Sequence, residues 1–337
     1  MAWTGHRSPE EDPLRLPTRL SAAVTTTVLV ASALTVLPAS AAYATPLTYR
    51  AVDLGTLGGT ASAATATNDR GTVVGWSLTA GGARHAFVWR GGVMTDLGVL
   101  PGHLESTAVD VNERGDVVGT STGPDWITRA VLWSDGQMID LGTLGGDYSE
   151  AIAVNDRGQV LGLSNPPTDI PHRFLWQDGV FTDLGRQDFY ETTDGLNNRG
   201  DVVGTFNVPP YDYPCTCVGG RLRDGVLTQI GHHATAINNL GHVVGSGGGR
   251  AFHWRAGVLT DLGTLGGPRS WATDVNDLGV VLGISETPSY GQRPVLWWAG
   301  RTVDLFTRGL GTADQVNDLD IRGRLVGSRE GRATLFR

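Results

Sequence analysis

The sequence predicts an all-β fold: a closed seven-bladed β-propeller of four-stranded blades. Three observations lead there: a sevenfold internal repeat, two hairpin signatures in each repeat, and chain ends that complement one another. Asparagines 68, 112, 155, 197, 238 and 276, with Asp320 in the same role, each have glycine three and seven residues further on. Their spacings of 44, 43, 42, 41, 38 and 44 residues are the length of a propeller blade.

The first hairpin of a unit reads as in Ala151–Asn155, turns at Asp156-Arg157-Gly158, and returns through Gln159–Gly162. A glycine fixed at the end of the turn marks a backbone position with positive φ, the mark of a turn closed by a left-handed bulge. The second hairpin runs Ala130–Trp133, turns at Asp135-Gly136 and returns through Met138–Leu141. Asp-Gly between apolar strands is a strong hairpin signal. With that turn, Trp133 faces Met138, Leu132 faces Ile139 and Val131 faces Asp140. Val131, Trp133 and Met138 then share one face, and Leu132, Ile139 and Leu141 the other. Both faces are apolar, as a sheet packed between two neighbours requires. The pattern recurs with Trp89, Trp133, Trp176, Trp254 and Trp297, each seven residues before the Asp of an Asp-Leu pair. The fourth unit is degenerate, with Leu222 at the Trp position.

The chain ends select closure. A fourth-type strand, Thr48 to Leu54, stands unpartnered at the start of the repeat region. The last unit stops after a third-type strand, Ala333 to Arg337. Joining the two completes the seventh blade and removes the open edges of a linear array.

Composition agrees with short strands and tight turns, with 48 glycines and only 18% charged residues. A net charge of -8 argues against nucleic acid and anionic membrane surfaces as partners. Ahead of the repeats, Arg7, Arg15 and Arg19 precede an apolar stretch from Ser21 to Leu37 and the small-residue segment Ala39 to Ala44. That order is expected of a secretory signal peptide over residues 1–44, leaving a single propeller domain over 45–337 and an extracellular protein. The apolar stretch is too short for a spanning helix, so the mature chain is expected to carry no transmembrane segment.

The segment His85-Ala86-Phe87-Val88-Trp89, with the Asp-Leu-Gly-x-Leu-Gly-Gly and Asn-Asp-Arg-Gly-x-Val-Val-Gly motifs, resembles the HAF-repeat family of probable extracellular repeat proteins. The likeness covers nearly all of residues 51–337. It implies secretion and a propeller-like repeat, and brings no established activity or catalytic residues. The fourth unit departs from the pattern, with Gly220 and Leu222 in place of Phe and Trp.

The repeated Asp of the Asp-Leu pair resembles a ring of carboxylates, and a basic residue recurs beside it: His85, Arg129, His172, Arg250, Arg293 and Arg332. In the register above Arg129 and Asp140 are diagonal neighbours on one face, close enough to pair. A residue repeated in every blade serves the blade, so these are expected to be architectural. The Asn-Asp-x-Gly turns lack the ligand series of a calcium loop, and no other metal site or cofactor is expected. Cys215 and Cys217 are expected to form a disulfide in an oxidising compartment, with a free or intermolecular thiol as the alternative. No Gly-x-Ser-x-Gly elbow, His-Glu-x-x-His helix or phosphate loop occurs, so no catalytic residues are assigned.

Topology sorts the connections. The short Asn-x-x-Gly and Trp-x-x-Gly turns fall on one face of the ring, while the connections of variable length fall on the other. Loops on a rigid scaffold collect binding residues. The variable face is expected to carry the non-repeat aromatics Trp126, Tyr148, Tyr211, Tyr213, Trp271 and Tyr290, suited to sugar faces or protein partners. The reading is a monomeric, non-catalytic secreted propeller that binds a polysaccharide or a protein there. The alternatives are a polysaccharide-active hydrolase or lyase on the same scaffold, and a purely structural surface repeat.

Overall fold

The computed structural model describes residues 48–167, 170–186, 195–208 and 217–337. The expected leader, residues 1–44, lies outside the described residues. No helix among the described residues is long and apolar enough to cross a membrane.

Seven four-stranded antiparallel sheets form a seven-bladed β-propeller. Blade 1 comprises Gly58–Thr67, Val73–Thr79, Arg84–Arg90 and Val93–Gly98, and the next five follow the same order along the chain. In blade 7 three consecutive strands, Asp314–Leu319, Leu325–Arg329 and Arg332–Phe336, are completed by Ala51–Asp53 from the other end of the chain. Ala51, Val52 and Asp53 pair antiparallel with Phe336, Leu335 and Thr334, the closure expected from the unmatched ends.

The hairpins form in the expected register, with Val131 opposite Asp140, Leu132 opposite Ile139 and Trp133 opposite Met138. The turn pair Asp135-Gly136 takes positive φ at both residues (50° and 76°), the geometry that matches strand twist in a two-residue hairpin. Because each sheet is apolar on both faces, the core is divided among the blade interfaces. Val131 and Trp133 pack with Val74, Ala86 and Val117 between blades 1 and 2. Leu132 and Leu141 pack with Val160, Phe174 and Trp176 between blades 2 and 3.

The first strand of every blade lines the central channel, and its outer neighbour satisfies only one of its edges. Side chains supply the missing partners. The Nδ2 of Asn68 donates to the backbone carbonyl of Asn112 in the next blade at 2.9 Å. The same bond joins Asn112 to Asn155, Asn155 to Asn197, Asn197 to Asn238, Asn238 to Asn276, and Asn276 to Asp320. Each Oδ1 meanwhile accepts two N–H groups of its own turn, as Asn68 does from Arg70 and Thr72. An amide is needed because the position must accept within its blade and donate to the next. The seventh position holds Asp320, which cannot donate. There Arg324 binds the Asp320 carboxylate and its Nη2 donates to the Asp69 carbonyl at 3.3 Å, closing the ring.

A second circle runs beside the first. The N–H groups of Asp69, Glu113, Asp156, Asn198 and Asn239 donate to side chains of Glu113, Asp156, Asn198, Asn239 and Asp277, each one blade further on. Ile321 in blade 7 donates its N–H to Asp69. At the opposite end of the strands, serines perform the same service. Ser106 accepts from the Ala86 N–H of blade 1 and donates to the Gly98 carbonyl, while Ser62 does so with Ala333 and Gly55 across the closure.

Asn238→Ala removes one interblade bond and leaves the Leu240 and His242 N–H groups of the turn without their acceptor. The substitution should destabilise the whole ring by about 2–3 kcal/mol in chemical denaturation, in a single transition. A change under about 0.5 kcal/mol would show that the asparagine ring does not carry the blade contacts.

Candidate functional site

Four of the aromatics singled out by the sequence, Trp126, Tyr148, Trp271 and Tyr290, lie among the described residues, and the structure sorts them. Trp126 is 83% exposed and Tyr290 72% exposed. They are the exposed aromatic side chains among the described residues. Each stands on a five-residue loop between the second and third strands of its blade. In blade 2 the Gly123 N–H donates to the Ile127 carbonyl, and in blade 6 the Thr287 N–H donates to the Gly291 carbonyl, both at 2.9 Å. Both loops have proline second and the aromatic fourth.

The fourth position is left-handed in both, with φ of 63° at Trp126 and 63° at Tyr290. Blade 1 closes its loop from Thr79 to Ala83 with the same outer bond and places Gly82 at the fourth position at φ 85°, its N–H on the Thr79 carbonyl as the Tyr290 N–H is on that of Thr287, while in blade 2 Asp125 is left-handed as well, at φ 62°. Glycine is the residue this backbone favours, and a bulky side chain in it is a steric outlier that costs about 1 kcal/mol or more. Neither aromatic contributes burial to offset that strain. Blades 2 and 6 are three steps apart around the ring, so the two tips are separate contact points and not the walls of one pocket.

Tyr148 and Trp271 are half-buried instead of free. The Tyr148 hydroxyl donates to Glu150 at 2.6 Å, and burial together with that carboxylate pushes the phenol well above its ordinary range. Trp271 lies across from Ile284 on the inner strand, and the Arg269 guanidinium stacks over its ring at 5.5 Å. Arg269 is itself held by Glu286, a carboxylate buried to 1% exposure, at 2.8 Å. Tyr148 directly precedes the inner strand Ser149–Val154, and Trp271 is the second residue of Ser270–Val275. Tyr211, Tyr213 and Cys215 lie outside the described residues. Cys217 is disulfide-bonded, and no described cysteine is free.

The repeated acids are engaged in the blades. Asp140 Oδ1 accepts the Gly142 N–H at 2.9 Å and the carboxylate pairs with Arg129 at 3.3 Å. The same pairing joins His85 to Asp96, His172 to Asp183, Arg250 to Asp261, Arg293 to Asp304, and Arg332 to Asp53 across the closure. These pairs sit on the outer strands and are partly exposed.

The sequence reading missed the mouth of the channel on the short-turn face. A cavity of about 210 Å³ opens there, lined by the first-strand ends of all seven blades. Asp69, Glu113, Asp156 and Asp277 stand at its rim. Below them Asp110, Asp274 and Asp318 occupy the position two before the conserved-role Asn or Asp, where the other blades have Ala66, Ala153, Gly195 and Ala236. Each caps two N–H groups, one of them in the next blade: Val154 for Asp110, Leu319 for Asp274 and Thr67 for Asp318. An acid at an otherwise small-residue position was the signal available. Burial pushes the Asp110 carboxyl up to about 6, against the pull of the Val154 and Val111 N–H groups and helped by Asp274 and Asp156. Burial, with Asp274 and Asp110 nearby, holds Asp318 well above the carboxylate range. The other titratable pair, His242 and His253, stacks edge-to-face at 4.9 Å between blades 5 and 6, and burial lowers both imidazoles toward the neutral form. Among the described residues no group of three or more His, Cys, Asp or Glu side chains is placed to hold a metal ion.

With this geometry the class of the protein is set: it is a seven-bladed propeller whose inner strands are joined blade to blade by side chains and whose variable face presents isolated aromatic tips. No family model and no curated protein matches the chain. Among solved structures it is similar to YCF48 bound to D1 peptide, with a TM-score of 0.55 and 13% identity over 87% of this chain and 95% of that one. It is also similar to a streptogramin B lyase, with a TM-score of 0.54 and 11% identity over 86% of this chain and 98% of that one. TolB from Acinetobacter baumannii has a TM-score of 0.45 and 11% identity over 66% of this chain, which spans 63% of TolB. At these identities the likeness concerns the fold, which enzymes and non-enzymes share.

The channel acids make stability depend on pH. Asp110 binds its proton more tightly in the folded protein, so its contribution is full below the ordinary value of 3.8 and is lost as pH rises through about 6. Asp110→Asn should therefore gain roughly 1–3 kcal/mol relative to wild type between pH 4 and pH 7. Denaturation curves at the two pH values read the difference, and parallel pH dependence of the two proteins would refute the assignment.

Proposed function

We propose that this protein is a secreted, non-catalytic binding propeller of the HAF-repeat kind that engages an extracellular polysaccharide or protein through its variable-loop face. The observation that carries the reading is the placement of Trp126 and Tyr290. Each is an exposed aromatic held in a left-handed backbone at a loop tip, where blade 1 uses glycine. Local strain that brings no packing is retained where it serves function. Aromatic tips give large contact area at low loss of side-chain entropy, and the prolines at 124 and 288 stiffen the loops that present them. Two tips three blades apart suit a ligand extended across the face, either a polymer or a broad protein surface.

The acids of the scaffold support a non-catalytic reading because they are occupied. Those of the outer strands hold loops and basic side chains, and those of the channel cap backbone N–H groups of adjoining blades. The likeness to YCF48, solved with a peptide, offers a precedent for ligand capture on a comparable ring, while the streptogramin B lyase offers one for catalysis.

The test separates strain from binding. A ligand is first selected for residues 45–337 on glycan and protein arrays, and Trp126→Gly and Tyr290→Gly are then titrated with it. Glycine relieves the left-handed backbone, so the melting temperature should hold or rise, while at least one variant should lose about 2 kcal/mol or more of affinity. Full affinity in both variants, or a selected ligand that competes only with the short-turn face, would sink the proposal.

A further inference from the structure

The short-turn face gathers positive charge at one place. Arg221 lies on the third strand of blade 4, Cys217–Arg223, at a position that holds Val88, Leu132, Leu175, Leu296 and Leu335 in five other blades. The arginine enters the interface with blade 5, where its guanidinium stacks over the Trp254 ring at 5.0 Å. Its Nε is buried and has no hydrogen-bond partner. Two more arginines of blade 4 join it beside the first turn of blade 5. A Cβ placed on Gly241 would lie 3.7 Å from Arg221 Nη1, 3.8 Å from Arg199 Nη1 and 4.0 Å from Arg223 Nη2. Gly241 has φ 83°, a backbone that keeps the position free of a side chain, so nothing closer than these nitrogens faces it.

At other turns of this kind the nearest atoms belong to one guanidinium, and that one is already bonded. Gly71 meets Arg324, which pairs with Asp320. Gly158 meets Arg114, which pairs with Asp116 at 2.6 Å, and Gly115 meets Arg90, whose Nη2 donates to the Gly115 carbonyl at 3.2 Å. Beside Gly241 only Arg223 is so engaged, with the buried carboxylate of Asp201. Among the described residues the guanidiniums of Arg199 and Arg221 have no ion pair and no hydrogen bond. Burial, with Arg223 and Arg199 alongside, loosens the hold of Arg221 on its proton, although Asp201 pulls the other way.

Negative charge is withdrawn from the same sector. The residue after the repeat asparagine is Asp69, Glu113, Asp156 and Asp277 in blades 1, 2, 3 and 6, but Asn198 and Asn239 in blades 4 and 5. Both amides still accept the N–H of the preceding blade, from Asp156 and Asn198, each at 2.7 Å. The interblade bond is kept and only the charge is dropped. Like charges gathered in a partly buried interface are costly, and nothing in the fold requires three of them here.

We propose that the short-turn end of the interface between blades 4 and 5 binds a tetrahedral oxyanion, a phosphate or sulfate group. Two guanidiniums without carboxylates match the charge of one dianion. Each arginine fork can donate two parallel N–H bonds to such a group, and Trp254 provides an apolar wall that strengthens them. Forks from Arg199 and Arg221, with Arg223 beside them, suit an anion whose oxygens point in several directions, whereas one fork serves a planar carboxylate. The site is on the face opposite Trp126 and Tyr290, so it does not rest on the variable-face reading.

Calorimetric titration of the protein with sodium phosphate, sodium sulfate and sodium acetate, at one fixed ionic strength, tests the site. Both dianions should bind saturably and about tenfold or more tightly than acetate, and the tighter of the two names the group. Phosphate should bind better at pH 8 than at pH 6, as it takes its second charge, while sulfate holds its affinity. Arg221→Leu installs the residue of blades 2, 3, 6 and 7, so the fold should persist while dianion affinity drops about tenfold or more. Arg199→Gln, on an exposed turn and clear of the packed interface, should cost about threefold or more and serves if the first variant folds poorly. Arg322→Gln, its counterpart in blade 7, should bind as wild type does. Absence of saturable binding by both dianions, an equal response to acetate, phosphate affinity that ignores pH, an equal loss in Arg322→Gln, or full affinity in a folded Arg221→Leu or Arg199→Gln protein would overturn the proposal.

Discussion

The propeller depends on one hydrogen bond used around a circle: an asparagine amide that accepts inside its own turn and donates to the backbone of the next blade. A blade alone has an inner strand with one edge unpaired, and buried backbone groups left unpaired are costly. The bond from Asn68 to Asn112 and its repeats remove that penalty while fixing the distance and angle between neighbours. Apolar wedges such as Val131 and Trp133 against Val74 then pack only when the inner strands are so spaced. Closure by Ala51–Asp53 follows from the same logic, since a ring held blade to blade admits no free edge.

Departures from the repeat are informative because the rest is so regular. Asp320 breaks the amide rule, and Arg324 supplies both its counter-charge and the missing donor. In the degenerate wedge Leu227 lies against Gly220, and Arg173 reaches across from blade 3 to the Thr205 carbonyl. Trp126 and Tyr290 are departures of another kind, since they replace a residue suited to the backbone by one that strains it. The first two departures are compensated inside the molecule, and the last two are not. Uncompensated strain on an exposed loop directs attention to what the loop meets outside.

Much of this was legible in the sequence. Hairpin register, blade number and the interlocking ends follow from local rules: a period of two along strands, turn residues with positive φ, and the count of strands at each end. Pairing of the repeated Asp with its basic neighbour was also legible, because Arg129 and Asp140 belong to one hairpin whose register the Asp135-Gly136 turn sets. The aromatic tips were legible as loop residues. Their left-handed backbone was not, since φ at Trp126 comes from a closed five-residue loop that only comparison with Thr79–Ala83 makes plain.

The sequence by itself determined the blade, the repeat number and the candidates on the variable face, because each of these rests on residues close in the chain. Only the tertiary structure decided what neighbouring blades do to one another. It turned the asparagines from turn residues into interblade donors, and it gathered Asp110, Asp274 and Asp318 from three blades into one channel. It covered Tyr148 and Trp271 while leaving Trp126 and Tyr290 free. It also showed that the wedge holding Leu222 in place of tryptophan is packed by Leu184, Leu227 and Phe206 and crossed by Arg173. These outcomes depend on contacts between residues some forty positions apart, or across the closure, where no local periodicity reaches and only the packing of whole blades sets what each side chain meets.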